Sequence, residues 1–359
     1  MRVALLGLGT VGAAVAARLV DEEWRRDVAA RGMKAPELVT VGVRDARRPR
    51  SVDLPASVDL TEALGAAVAR TDVDVVIELL GGLEPAHELV SRALTAGKSV
   101  VTANKLLLAE RGAELEATAR RFSAALRFEA GVAGGVPILA PIARDLAANR
   151  LQRVRGIVNG TTNFILSAMA QEGRTLADVL ADAQAHGYAE ADPSADLEGR
   201  DAVHKLVLLT RMAFGVWVQP SGVPRTGISE VTAEDVAVAG RAGYAIKLVA
   251  SVERPPPEIG GQLIGFVEPC AVPRDSIIGR THGVTNVVEV SGSPIGRVIF
   301  QGPGAGGDAT SSAVLGDLLA LARDEGSTWA MLPKALPVGE LNDGRSTERR
   351  RRNYRRLKD

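Results

Sequence analysis

Asp201 and Lys205 stand four residues apart in Arg200-Asp201-Ala202-Val203-His204-Lys205, so on a helix they share one face. An exposed pair of this kind would contribute only about 0.3–0.5 kcal/mol. Two features point beyond that. The following Leu206-Val207-Leu208-Leu209 is apolar on every side, which predicts a buried helix. The basic residue is also a lysine in a chain with seven lysines and 36 arginines. Arginine cannot titrate near neutrality, whereas a buried lysine can, and beside a carboxylate it suits proton donation to a carbonyl being reduced. The acid-rich loop leading in, Tyr188 to Glu198, carries Glu190, Asp192 and Asp196.

A second lysine, Lys105, closes Val101-Thr102-Ala103-Asn104-Lys105 at the carboxyl end of a strand-like run, the end at which open α/β sheets bind ligands. Lysine is poorly matched to the positive end of a following helix, which favours a functional reading. Glu129 precedes Ala130-Gly131-Val132-Ala133-Gly134-Gly135-Val136, where small residues expose backbone carbonyls. A carboxylate beside them is compatible with an oxygen-lined cation site. The residues alone would otherwise read as a glycine turn. The four histidines, 87, 186, 204 and 282, have no metal-ligand spacing, and His204 reads as a packed residue. Asn159-Gly160-Thr161 matches a glycosylation sequon but reads more simply as a turn. The lone Cys270 has no recognisable catalytic partner and excludes an intrachain disulfide framework.

These groups need a scaffold, and the chain opens on one. Val3 to Leu6 is a buried strand running into Gly7-Leu8-Gly9-Thr10-Val11-Gly12, a G-x-G-x-x-G turn that opens a helix over 12–31. Gly7 permits the turn, Gly9 lets the backbone approach a pyrophosphate on the helix N-terminus, and Gly12 lets helix and strand pack closely. Further strands are expected at 38–43, 73–80, 99–102 and 125–129, with helices at 84–96 and 109–123 between them. Such alternation predicts βαβ units and a Rossmann-type parallel sheet. The second strand ends in Arg44, with Arg47, Arg48 and Arg50 following. That favours the 2′-phosphate of NADP, although the adjacent Asp45 would suit NAD if the strand ended one residue later.

After residue 135 the pattern changes to longer helices (139–148, 175–186, 196–213, 232–245) and alternating strands (153–158, 246–253, 263–268, 286–290, 295–301). This predicts a second, α+β domain. The expected division is 1–135 for the dinucleotide domain and 136–301 for the second. A glycine loop at 302–307 and a helix at 309–323 follow, and 340–359 forms a basic, disordered tail. Lys+Arg and Asp+Glu both number 43, a formal net charge of zero. Eight of the basic residues fall in 345–359, so the rest is mildly acidic, and no nucleic-acid partner is expected despite the tail. No apolar run reaches the roughly 18 residues needed to span a bilayer. Arg2 and the apolar run after it imitate a signal peptide, but the glycine pattern explains them better. A single cysteine fits a cytoplasmic setting.

The sequence resembles the homoserine dehydrogenases. The shared segments are 7–12 (GLGTVG), 72–82 (DVDVVIELLGG), 97–105 (GKSVVTANK), 129–138 (EAGVAGGVPI), 156–166 (GIVNGTTNFIL), 187–206 (GYAEADPSADLEGRDAVHKL) and 302–306 (GPGAG). They span nearly all of residues 1–324. The resemblance implies NAD(P)-dependent interconversion of L-homoserine and L-aspartate 4-semialdehyde, a step of threonine and methionine biosynthesis. It implies Lys205 as acid–base residue with Asp201 as partner, and Lys105 as a second functional lysine. It implies Glu190, Asp196 and Thr161 at the substrate. The cofactor residues would be Gly7, Leu8, Gly9, Thr10, Val11, Gly12, Arg44, Thr102, Lys105, Gly302 and Gly304. A sodium site would be formed by Glu129, Val132, Gly134 and Val136, and the assembly would be a homodimer through the second domain. Two departures stand out: Asp308 follows the glycine loop where the family often has proline, and Ala195 stands where some members carry an acid. The roughly 35 residues after 324 are too few for the regulatory domain of some members, so feedback inhibition through one is not expected. A non-catalytic NAD(P)-sensing module would need the glycine turn but not Glu190, Asp201 and Lys205 together.

Overall fold

A computed structural model describes residues 1–255 and 261–342. Contacts divide the chain into two compact units. The first contains Met1–Arg144 and Ala305–Lys334, and the second contains Asp145–Gly304 and the described residues from Ala335 onward. The break falls at 144/145, nine residues later than the composition change at 135.

The first unit is a six-stranded parallel sheet: β1 (Arg2–Leu6), β2 (Glu37–Gly42), β3 (Asp59–Thr61), β4 (Val75–Glu78), β5 (Ser99–Thr102) and β6 (Leu126–Arg127). Its order is β3-β2-β1-β4-β5-β6, so the chain reverses its direction of winding between β1 and β4. That switch point is where such sheets bind dinucleotides. The central strands are apolar without alternation because helices cover both faces; in β1, Val3 to Leu6 are all buried.

The helix expected over 12–31 is two, Thr10–Val20 and Glu22–Ala30. Asp21 divides them, its carboxylate accepting the Glu23 N–H at 2.9 Å as an N-cap. Helix Lys105–Arg121 starts four residues earlier than its composition suggests, because the Asn104 side chain caps it through the Leu107 N–H at 3.1 Å. Strand β3 and helix Leu64–Ala69 carry little periodicity and were not predicted.

Helix Gly307–Ala322 closes this unit. Val314, Leu315 and Leu318 join Leu5, Val15 and Leu19 in one core. The same helix brings in Asp317, fully buried, which accepts from Arg127 Nε and the Glu129 N–H, both at 2.8 Å. Burial pushes the Asp317 carboxyl above its usual range against the pull of Arg127. Removing one partner of such a buried pair typically costs about 3–5 kcal/mol.

The second unit is an antiparallel sheet in the order β10-β9-β7-β11-β12. Its strands are β7 (Arg150–Ile157), β9 (Tyr244–Glu253), β10 (Ile264–Pro273), β11 (Thr285–Ser293) and β12 (Gly296–Pro303). The buried helix Arg200–Phe214 packs on β7, β9 and β10. Helix Gly160–Glu172, which its β-branched start had masked, begins at the Asn159 cap. Strand β8 (Val216–Val218) pairs in parallel with β13 (Leu336–Gly339), neither expected. The basic stretch 345–359 lies outside the described residues, but the tail proposed from 340 begins too early. Leu341 is buried, and the Asn342 N–H donates to Leu263 O at 2.9 Å. Leu341→Ala is therefore expected to destabilise the protein by about 2–3 kcal/mol, read as a lower thermal midpoint. An unchanged midpoint would detach this segment from the core.

Candidate active site

The turn after β1 is shaped by two close approaches. A Cβ on Gly12 would lie 2.1 Å from the Gly7 carbonyl oxygen, and one on Gly7, where φ is +96°, would lie 2.5 Å from Leu79 O. Gly9 is different: a Cβ there meets nothing in the chain within 4 Å, and no side chain caps the helix that starts beside it. Its missing side chain thus leaves space for something outside the chain, at the positive end of a helix, as a pyrophosphate requires.

This turn forms one wall of a cleft of about 1250 Å³ within the first unit. Leu79, Leu80 and Gly81 after β4 line it, with Arg44, Asp45, Arg48 and Arg50 after β2. Arg50 is folded back onto the carbonyls of Asp45, Ala46 and Arg48 at 2.6–2.9 Å, so its role is to hold the loop. Asp45 Oδ1 accepts the Arg47 N–H at 2.9 Å. Arg44 is exposed in the cleft wall. From the glycine loop near residue 304, the residues that reach the cleft are Gly307 and Asp308. Gly302 instead belongs to edge strand β12, and Gly304 packs on Asn286 in the second unit, where a Cβ would fall 1.8 Å from Asn286 Oδ1.

Behind the cleft the sequence reading missed Glu78, the last residue of β4 and fully buried. Its Oε1 accepts the N–H groups of Leu80 (2.8 Å) and Gly81 (3.3 Å) and Asn104 Nδ2 (3.4 Å), while Oε2 accepts the Thr102 hydroxyl at 2.6 Å. Burial holds its carboxyl above the usual range despite these donors. The Thr102 hydroxyl is therefore turned into the protein. Lys105, half-buried, opens the helix that Asn104 caps. The signal for Glu78 was present in the sequence: an acid ending an apolar strand must find donors.

In the second unit, Lys205 and Asp201 are both buried, with Nζ to Oδ2 at 2.7 Å. Lys205 also donates to Val158 O at 2.7 Å. The surrounding order comes from Asn159, which had looked like a turn residue. Its Nδ2 donates to Asp196 Oδ1 (2.7 Å) and Asp201 Oδ2 (2.8 Å), while its Oδ1 accepts the Thr162 N–H at 2.9 Å. Asn159 thus joins Asp196 and Asp201 across the acidic loop and starts the next helix. The Thr161 hydroxyl donates to Tyr188 O at 3.0 Å, tying that helix to the loop. Glu190 is exposed on the loop.

The cation reading divides differently. The Glu129 carboxylate accepts the N–H groups of Ile138, Leu139 and Ala140 at 2.6–2.8 Å, capping the short helix Leu139–Ala143. Burial first, then Asp317, pushes its carboxyl up to about 7. Ala133 and Gly134 both have positive φ, turning the backbone sharply. The carbonyls of Val132, Gly134 and Val136 accept no hydrogen bond among the described residues, so they have the oxygen character that a hard cation takes.

Two of the three glycines predict separable outcomes. Gly9→Ala is expected to keep the thermal midpoint but weaken dinucleotide binding at least about tenfold, through lost phosphate approach. Gly12→Ala is expected to lower the midpoint itself, because Gly7 O must move. Isothermal titration beside thermal denaturation checks both; equal effects on the two readouts would remove the distinction.

Two family models match the chain: the homoserine dehydrogenase NAD-binding domain over residues 7–129 and the homoserine dehydrogenase domain over 137–319. A homoserine dehydrogenase of Synechocystis is 43% identical over 319 residues, 89% of this chain and 72% of that protein. The crystal structure of a homoserine dehydrogenase from Thiobacillus denitrificans aligns with a TM-score of 0.88 at 38% identity, covering 95% of this chain and 79% of that one. A hyperthermophilic archaeal homoserine dehydrogenase in complex with NADPH aligns with a TM-score of 0.74 at 26% identity, covering 90% and 98%. With the dinucleotide turn at the switch point and the lysine–carboxylate cluster in the second unit, these matches make the chain a member of the homoserine dehydrogenase family, the NAD(P)-dependent oxidoreductases of the aspartate pathway.

Proposed function

We propose that the chain interconverts L-aspartate 4-semialdehyde and L-homoserine with NADP(H), using Lys205 as the acid–base group, in the supply of threonine and methionine. The observation that carries this reading is the buried Lys205–Asp201–Asn159 cluster, an ammonium held in place by one carboxylate and one carbonyl. The nicotinamide, when bound, supplies a hydride from its C4 to the aldehyde carbon. As the carbonyl π pair moves to oxygen, Lys205 Nζ gives that oxygen a proton, producing the alcohol. In the other direction neutral Lys205 takes the hydroxyl proton. Asp201 orients the lysine and stabilises its charged form, and Asn159 keeps Asp201 from rotating away. Glu190 is the expected partner of the substrate ammonium, supported by its exposed position. Asp196 and Thr161 shape the loop around the substrate, and Lys105 assists at the nicotinamide end.

NADP is favoured over NAD because Arg44 stands in the cleft wall beyond β2, while the Asp45 carboxylate is engaged by its own turn. A sodium ion on the carbonyls of Val132, Gly134 and Val136 beside Glu129 would offset the buried carboxylate and stiffen the turn, without acid–base or redox work. No helix among the described residues is long and apolar enough to cross a membrane; a cytoplasmic setting belongs to the same reading. A homodimer through the second unit is supported by Ile299, exposed on edge strand β12, and Ile295 beside it. Light scattering after size exclusion is expected to give twice the chain mass, and a single-chain mass at micromolar concentration would overturn it.

The deciding experiment is a steady-state assay of aspartate semialdehyde against NADPH and NADH. NADPH is expected to give the higher kcat/KM by about tenfold or more; parity would overturn the cofactor preference. Lys205→Ala is expected to lower kcat by about 10²–10⁴ in both directions, and near-wild-type turnover would remove its assigned role.

A further inference from the structure

Glu78 is a buried acid at the switch point of the sheet, behind the segment that lines the dinucleotide cleft. In register it lies beside Leu6, the residue before the glycine turn, and beside Thr102 on the other side. The switch point between β1 and β4 therefore has this side chain behind it. Its four hydrogen bonds come from two backbone N–H groups, one side-chain amide and one hydroxyl, all neutral donors directed at both oxygens. An ionised carboxylate accepts all four, and a protonated one could keep the set only by turning its O–H to the Thr102 hydroxyl, which can also accept. In its ionised form it is a negative charge with little solvent around it, behind residues 79–81, which line the dinucleotide cleft. The two forms of the cofactor differ there by one charge, since the oxidised nicotinamide is a pyridinium cation and the reduced ring is neutral.

We propose that the Glu78 carboxylate selects the oxidised, cationic nicotinamide over the reduced ring, so that it tunes the equilibrium of bound cofactor as well as holding two loops. This rests on the reading of the cleft as a nicotinamide-dinucleotide site. Glu78 acts through space and through the loops rather than as a catalytic residue. A purely structural role would weaken both forms of the cofactor together. An electrostatic role weakens only one. At several ångströms and an intermediate effective dielectric, loss of the charge is expected to change the preference on the order of 5-fold.

The test measures dissociation constants of NADP⁺, NADPH and 2′-phospho-ADP-ribose for the full chain and for Glu78→Gln by titration calorimetry. The expected result is NADP⁺ binding weakened about 5-fold, with NADPH and the nicotinamide-free probe within about 2-fold of wild type. An unchanged NADP⁺ to NADPH ratio overturns the proposal, including when both weaken together. If none of the three binds the wild-type chain, the cofactor reading itself fails, which is a distinct outcome. Should Glu78→Gln not fold, Glu78→Met removes the charge while Thr102 is kept to accept the Asn104 N–H. The same shift in ratio is expected from it, and an unshifted ratio again overturns the proposal.

Discussion

The contact on which most of the first unit depends is one that no side chain can enter. Gly12 lies so close to the Gly7 carbonyl, and Gly7 so close to Leu79, that a methyl group at either position would displace backbone. This wedge fixes the angle at which helix Thr10–Val20 leaves β1, and so aims the positive end of that helix along the cleft. It also presses the turn against the segment after β4, which Glu78 holds from behind through the N–H groups of Leu80 and Gly81. Packing at the turn and the shape of the binding surface are therefore one constraint. Gly9, which the packing does not require, is the residue left for the ligand.

Buried acids recur as organisers, and their partners separate their roles. Glu78 gathers neutral donors from two stretches of chain and Glu129 from one, and burial raises the carboxyl of both. Asp317 instead has Arg127 and joins the returning helix Gly307–Ala322 to the end of β6. Asp201 has a lysine and an amide. The first three hold backbone in place. Only Asp201 faces a group whose proton could be transferred, and it is the one placed beside the proposed chemistry.

Elements with a strong pattern were legible in advance: the apolar runs of β1, β4 and β5, the glycine turn, and the buried helix carrying Asp201 and Lys205. Those missed depend on partners distant in the chain. Strand β3 exists because β2 offers it an edge, and β13 because β8 does. Helix Gly160–Glu172 has β-branched residues and a glycine at its start, which local propensity marks down, yet the Asn159 cap and tertiary packing impose it. The same applies to the site. Residue type singled out Lys205 and Asp201 as candidates, while Glu129 rested on the family resemblance. Asn159 and Glu78 escaped because their value lies in bridging groups far apart in sequence.

The rarity of lysine is a signal with a definite limit. Lys98 and Lys247 are equally rare residues, and both serve architecture. Lys98 donates to the carbonyls of Val68 and Arg70, closing the end of a helix. Lys247, buried in β9, donates to Asn163 Oδ1, Ser167 Oγ and Thr281 O, and burial pushes it down to about 8. A lysine is preferred at such points because a compact ammonium can meet three acceptors where a planar guanidinium cannot. A lowered pKa alone therefore does not mark an acid–base residue. What separates Lys205 is its setting: it shares Asp201 with an asparagine that also binds Asp196, at the base of an acidic loop. Lys247 is enclosed by its acceptors, whereas Lys205 shares its carboxylate with an amide that reaches the acidic loop.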